Sequence, residues 1–194
     1  MSAQESGQQS GASMTHVVLD TCCLVNLCAV GDLRTWLPRG EYRWYLPVAV
    51  AGEALFLKTV DEDGTVQKEP VDLAVYQNAG VLVACDVSPG PETALFVRLA
   101  IDLDDGEAMA LAIAESRGFA LATDDRKAML VAQRRQVRIL TTADILKEWA
   151  EAASVDAPEL AAALQRVETL ARFTPPQGYP LHDWWQAAVS GQQQ

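Results

Sequence analysis

Five short apolar runs recur along the chain: HVVLD at 16–20, YRWYL at 42–46, VLVAC at 81–85, FALAT at 119–123 and VRIL at 137–140. Between them lie segments with helical spacing. Leu24, Val25, Leu27 and Cys28 mark one over 21–30, with Gly31 as its stop and Asp32 as the cap of a short helix after it. Pro47 opens a second, VAVAGEALFLKTV. Further helices are expected over 71–79, over 92–102 and from Asp104 to Gly118, then in DDRKAMLVAQRR and from Thr141 onward. Strands alternating with helices at such short intervals predict a mostly parallel, doubly wound sheet covered on both faces. The expected fold is a three-layer α/β/α sandwich.

That alternation spans 15–150, the expected main domain. The polar stretch 61–70 reads as a loop or hairpin tip. Beyond 150 the pattern changes: APELAAALQRVETLARF is one amphipathic helix, TPPQGYP breaks it, and LHDWW follows. Residues 151–194 are therefore expected to form a C-terminal helical appendage. Paired tryptophans such as Trp184 and Trp185 more often cover an open apolar face than anchor a partner. The opening 1–14 is rich in Ser, Gln and Gly and reads as a disordered leader.

Composition excludes several classes. Hydrophobic residues make up 49%, enough for a sizeable core, yet no apolar run is long enough to cross a bilayer. The start of the chain has no basic segment leading into an apolar one, so no secretory signal is expected and a cytoplasmic location is. The four cysteines, Cys22, Cys23, Cys28 and Cys85, form no C-x-x-C pair and read as reduced, buried thiols. His16 and His182 show no catalytic pattern. The 15 basic against 26 acidic residues give a net charge of −11, which weighs against a polyanionic substrate unless the acids serve a cation site or face a basic partner.

The acids fall at comparable places. Asp20 ends the first strand, Glu53 lies in the helix after the second, Glu107 stands in the first turn of a helix, and Asp124 and Asp125 follow FALAT. Ligands of open parallel sheets bind outside the carboxyl ends of the strands, so these acids can share one crevice. Clustered carboxylates repel unless a cation neutralises them, and hard oxygens suit Mg²⁺ or Mn²⁺. Each acid alone has a plainer reading. Asp20 suits a helix cap, Glu107 a favourable first-turn charge, and one of Asp124 and Asp125 must cap the next helix. Glu53 alone would be a surface residue, but its apolar neighbours make a lone Glu expensive there.

VLDTCCLVNL at 18–27, PVAVAGEAL at 47–55 and LDDGEAMALAIAESRGFALATDD at 103–125 resemble, in order, the motifs of the PIN-domain family. The resemblance implies an α/β/α sandwich and a Mg²⁺- or Mn²⁺-dependent endoribonuclease acting on single-stranded RNA. Many bacterial members are VapC-like toxins of toxin–antitoxin pairs, so a homodimer with a basic antitoxin is the finer expectation. The resemblance places Asp20, Glu53, Glu107 and Asp125 among the catalytic acids, with Asp124 as a further metal ligand. It gives Thr21, Thr123 and Asp105 supporting roles; Arg126 and Lys127 are expected to contact nucleic acid. Cys22 stands where many members carry Asn. The alternative is a non-catalytic module of the same fold that binds RNA or protein.

Overall fold

The computed structural model describes residues 14–37, 42–61 and 63–191. The expected leader lies outside the described residues except for Met14. In chain order the elements are β1 (Thr15–Leu19), α1 (Thr21–Val30), α2 (Leu33–Trp36), β2 (Tyr42–Pro47), α3 (Val48–Ala51), β3 (Phe56–Val60) and β4 (Val66–Pro70). There follow α4 (Leu73–Asn78), β5 (Leu82–Cys85), α5 (Pro91–Leu99), α6 (Asp105–Arg117), β6 (Ala120–Ala122), α7 (Arg126–Arg134), β7 (Ile139–Leu140) and α8 (Thr142–Ala152). After α9 (Ala157–Arg166) come a π-helical turn (Val167–Ala171) and α10 (His182–Val189).

The main sheet runs β5-β2-β1-β6-β7 and every pairing in it is parallel. Successive side chains of a strand face opposite sides, and the core divides accordingly. Val17 and Leu19 of β1, Trp44 and Leu46 of β2, and Ala120 and Ala122 of β6 join one cluster, with residues of α1, α8, α9 and α10. Val18 and Leu121 point the other way, against α5, α6 and α7. This is the three-layer α/β/α sandwich. Both faces being covered explains why the strands read as continuous apolar runs rather than as polar–apolar alternation.

The region after β2 departs from expectation. The long helix over 48–60 is only the four-residue α3, closed by Gly52. FLKTV is instead β3, antiparallel to β4 in a separate two-stranded hairpin. Phe56, Thr59 and Val60 favour a pleated conformation, and Gly52 is a weak helix residue. Glu53 therefore follows a helix instead of sitting within one, and it is exposed. Of the stretch 61–70 expected as a loop or hairpin tip, Val66–Pro70 is instead the strand β4.

The C-terminal helices pack on the same face as α1. Leu160, Ala163, Leu164, Val167 and Ala188 belong to its core, and Trp185 is fully buried there. The Trp185 indole N–H donates to Glu168 (2.9 Å). Trp185 is thus core, and Trp184 packs partly buried beside it. The single long helix expected over 157–173 gives way at Val167 to the π-helical turn, which ends on Arg172 in a left-handed conformation.

Candidate active site

The chain leaves β1 toward one face through α1 and leaves β6 toward the other through α7. A crevice opens between these divergent connections at the carboxyl ends of the two strands. Asp20, 3% exposed, stands at its floor. One of its carboxylate oxygens, Oδ1, accepts from the Thr21 backbone N–H (2.6 Å). The other, Oδ2, accepts from the Thr123 hydroxyl (2.7 Å) and the Cys22 thiol (3.0 Å). Asp20 is also the N-cap of α1, so its plain and functional readings describe one residue. Fully buried Thr123 in turn accepts from the Asp125 backbone N–H (3.1 Å), which ties the end of β6 to the end of β1.

Glu53 reaches this floor from the β2 side. Its Oε2 accepts from the Thr21 hydroxyl (2.9 Å). Its Oε1 lies against α6 at Gly106, where a Cβ would stand 2.6 Å away. At the start of α6, Asp104 and Glu107 form a capping box: Asp104 Oδ1 accepts from the Glu107 N–H (2.8 Å) and Glu107 accepts from the Asp104 N–H (3.4 Å).

The doubled acids after β6 have separate surroundings. Asp125 caps α7, its Oδ1 accepting from the N–H groups of Lys127 (2.7 Å) and Ala128 (2.8 Å). Asp124 turns toward α8 and accepts from the Thr142 N–H (3.0 Å), the Thr142 hydroxyl and Asn26 Nδ2 (3.0 Å). Both of its oxygens are engaged in a tie between β6, α1 and α8. Asp105 is exposed, as are Arg126 and Lys127, and the Lys127 ammonium donates to the Asp102 carbonyl. His16 bonds Tyr45 (2.9 Å) and His182 bonds the Pro175 carbonyl (2.7 Å), both away from the acids.

Asp104 and Gly106 belong to the site although sequence reasoning gave neither a role. The cap position of Asp104, directly before an acid-rich first turn, is the signal that marks it. For Gly106 the only trace is a glycine within helix α6, where it is intrinsically unfavourable.

Electrostatics bind the group together. Desolvation raises the Glu107 carboxyl to about 7, helped by Asp104, Asp125 and Asp20. Glu53 is raised by desolvation of its carboxyl against α6 and then by Asp104 and Asp20. Burial raises Asp20 against its three hydrogen bonds, with a further push from Asp104. Among the described residues none of these carboxylates forms an ion pair with a lysine or arginine. Among the described residues, no three carboxylate, thiol or imidazole groups converge closely enough to grip an ion as they stand. The donor chemistry nonetheless suits one: hard carboxylate oxygens sharing one crevice, none paired with a lysine or arginine among the described residues. Asp20, Glu53, Asp104, Glu107 and Asp125 are the residues that could hold it.

No curated protein and no solved structure matches the chain. A family profile described as a PIN domain (DUF3368) matches residues 16–179. That span runs from the strand leading into Asp20, through every acid of the crevice, and into the C-terminal segment packed on α1. With most of its length and its whole acidic crevice inside that match, the chain belongs to the PIN-domain family, whose fold is of the nuclease type.

Proposed function

We propose that the chain is a divalent-metal-dependent endoribonuclease that cleaves single-stranded RNA. The observation that carries this reading is the gathering of Asp20, Glu53, Asp104, Glu107 and Asp125 around one crevice at the carboxyl ends of β1 and β6, where none of them pairs with a lysine or arginine among the described residues. Mg²⁺ or Mn²⁺, when bound, supplies a water of lowered pKa and charge stabilisation at the scissile phosphate. The chain's residues do the positioning. Thr123, Cys22 and the Thr21 N–H fix the rotamer of Asp20. Thr21 and Gly106 set the place of Glu53. Glu107, whose carboxyl burial raises to about 7 in the metal-free chain, becomes a ligand once a cation restores its charge. Asp125 contributes as a ligand while its other oxygen caps α7, and Asp124 serves the fold.

The test is RNA cleavage by the purified chain. Cleavage of single-stranded RNA in Mg²⁺ or Mn²⁺ is expected to stop with EDTA and to fall at least about a hundredfold in Asp20→Ala and Glu107→Ala. If the wild type cuts no RNA across varied sequences in Mn²⁺, the catalytic reading falls and a non-catalytic binding module takes its place. A finer part of the proposal is a toxin-type homodimer held inactive by a basic partner whose arginines lie on the acids. Coexpression with its genomic neighbour, followed by size-exclusion at rising salt, checks that part. A lone monomer with no copurifying chain overturns it.

A further inference from the structure

A chain with net charge −11 that grips RNA needs cations that are not already committed. Many are committed. Arg34, Arg117, Arg135 and Lys147 pair with Asp32, Glu92, Glu115 and Glu151. Lys127 and Arg166 donate to the backbone carbonyls of Asp102 and Val30.

The β3–β4 hairpin adds two cations beside an exposed ring on one outward face. Its register sets Phe56 opposite Pro70 and Lys58 opposite Lys68. Alternate residues share a face, so Phe56, Lys58, Val66, Lys68 and Pro70 lie on one face, and Leu57, Thr59, Gln67 and Glu69 on the other. Leu57 packs against the core, so the first face looks outward. Phe56 is 38% exposed and Val66 52%, and the two lysines and Pro70 are exposed. The Lys68 ammonium stands 5.6 Å from the centre of the Phe56 ring. Among the described residues neither lysine pairs with a carboxylate. Two acids near the tip bond elsewhere, Asp61 accepting from Gln67 (2.8 Å) and Asp63 from the Thr65 N–H (2.9 Å).

The place of this face matters as much as its chemistry. β3 begins three residues after Glu53, and the Val71 N–H donates to the Leu55 carbonyl (3.0 Å) and closes the hairpin's base. The Phe56–Pro70 end therefore adjoins the acid crevice, and the lysines follow outward from it.

We propose that the outward face of the β3–β4 hairpin is the track on which single-stranded RNA enters the crevice. Lys58 and Lys68 hold phosphates, and Phe56 stacks a base. The proposal rests on the nuclease reading above. Two like charges directly opposite one another in a hairpin are destabilising by themselves, and a bound phosphate removes that repulsion. An exposed ring beside free cations is the combination that binds single strands without base-specific contacts. A stable protein partner is a poorer fit. The face is about 17 Å long and two strands wide, well short of the roughly 800 Å² per partner that such interfaces bury.

The experiment is fluorescence anisotropy of a fluorescein-labelled single-stranded RNA over a range of salt, with EDTA present so that nothing is cut. Phe56→Ala is expected to weaken binding about tenfold. The double variant Lys58→Ala with Lys68→Ala weakens binding and lowers the slope of log affinity against log salt by about 1.4, or 0.7 for each lost phosphate contact. The double Arg variant restores both, and unchanged melting temperatures show that all variants are folded. Wild-type affinity and slope in the Ala variants overturn the proposal, as does a wild type that binds no RNA. A changed elution volume with unchanged RNA affinity also overturns it, because the face then serves a second copy. Cleavage in Mn²⁺ separates the two readings. Cleavage with hairpin-independent binding sinks this proposal alone. Hairpin-dependent binding without cleavage sinks the nuclease reading and keeps the binding face.

Discussion

Gly106 carries a requirement that its position in a helix conceals. An alanine there would place its Cβ 2.6 Å from Glu53 Oε1 and 3.4 Å from the Thr21 hydroxyl. The backbone of α6 tolerates alanine, which is the better helix former by roughly 0.5–1 kcal/mol, and the obstructing atom is the end of a flexible side chain. Gly106→Ala is therefore expected to leave the melting temperature unchanged or higher. RNA cleavage should fall at least about tenfold, because small displacements of positioned groups are expensive in rate. Calorimetry beside a cleavage assay checks this, and wild-type cleavage in the variant would show that Glu53 need not lie against α6. At this scale the sequence was uneven. The place of Asp20 at the end of a buried strand was legible, and so was the helix cap that it also forms. Glu53 was singled out for a reason that did not hold: it was placed inside an apolar helix, whereas it stands exposed after Gly52. Asp104 was hidden by its own adequacy as a cap, since a capping acid predicts nothing beyond the helix it starts.

The joint after β6 shows how elements divide work between adjacent acids. Asp124 accepts from buried Asn26 and from both the N–H and the hydroxyl of buried Thr142, so its removal leaves the Thr142 N–H without its acceptor and Asn26 with the Thr142 hydroxyl alone. Asp125 loses only a cap when removed, worth about 1 kcal/mol, but it faces the crevice acids and raises Glu107. Asp124→Ala is therefore expected to destabilise by about 1–3 kcal/mol while keeping a metal-dependent rise in melting temperature. Asp125→Ala should lose most of that rise at a smaller cost in stability. Denaturant melts with and without Mn²⁺ decide, and the opposite pattern would make Asp124 the ligand. The duplicated DD offered no means of choosing, because the difference lies in Asn26 and Thr142, which are far away in sequence. The strands β1, β2, β5 and β6, each with side chains in the core, were legible from apolar runs alone. The hairpin was half seen, because FLKTV carries apolar residues compatible with either a helix or a strand until β4 fixes the pairing. The π-helical turn left no mark, since Val167–Ala171 keeps the amphipathic spacing of the helix before it.

For the molecule as a whole, the crevice sets stability against function. A carboxyl raised in the folded state favours the protonated form there. The stability that Glu107 contributes is therefore fully present below its unfolded value of 4.5 and is lost as pH rises through about 7. Asp20 and Glu53 are raised in the same direction. The metal-free protein is thus expected to melt at lower temperature as pH rises from about 5 to 8, a window set by these shifts. A divalent cation requires the same carboxylates ionised, so its stabilisation grows across that window. At a free concentration about a hundredfold above its dissociation constant it contributes about 2.7 kcal/mol, or roughly 5–10 °C for a chain of this size. Glu107→Gln removes the ionisable group without removing its bulk, so it should flatten the metal-free decline and reduce the rise with metal. Scanning calorimetry across this pH range, in EDTA and in Mn²⁺, tests both halves at once. A metal-free melting temperature that does not change with pH, together with no response to Mn²⁺, would mean that the acids are not coupled in solution, and the case for a metal-loaded crevice would fail with them.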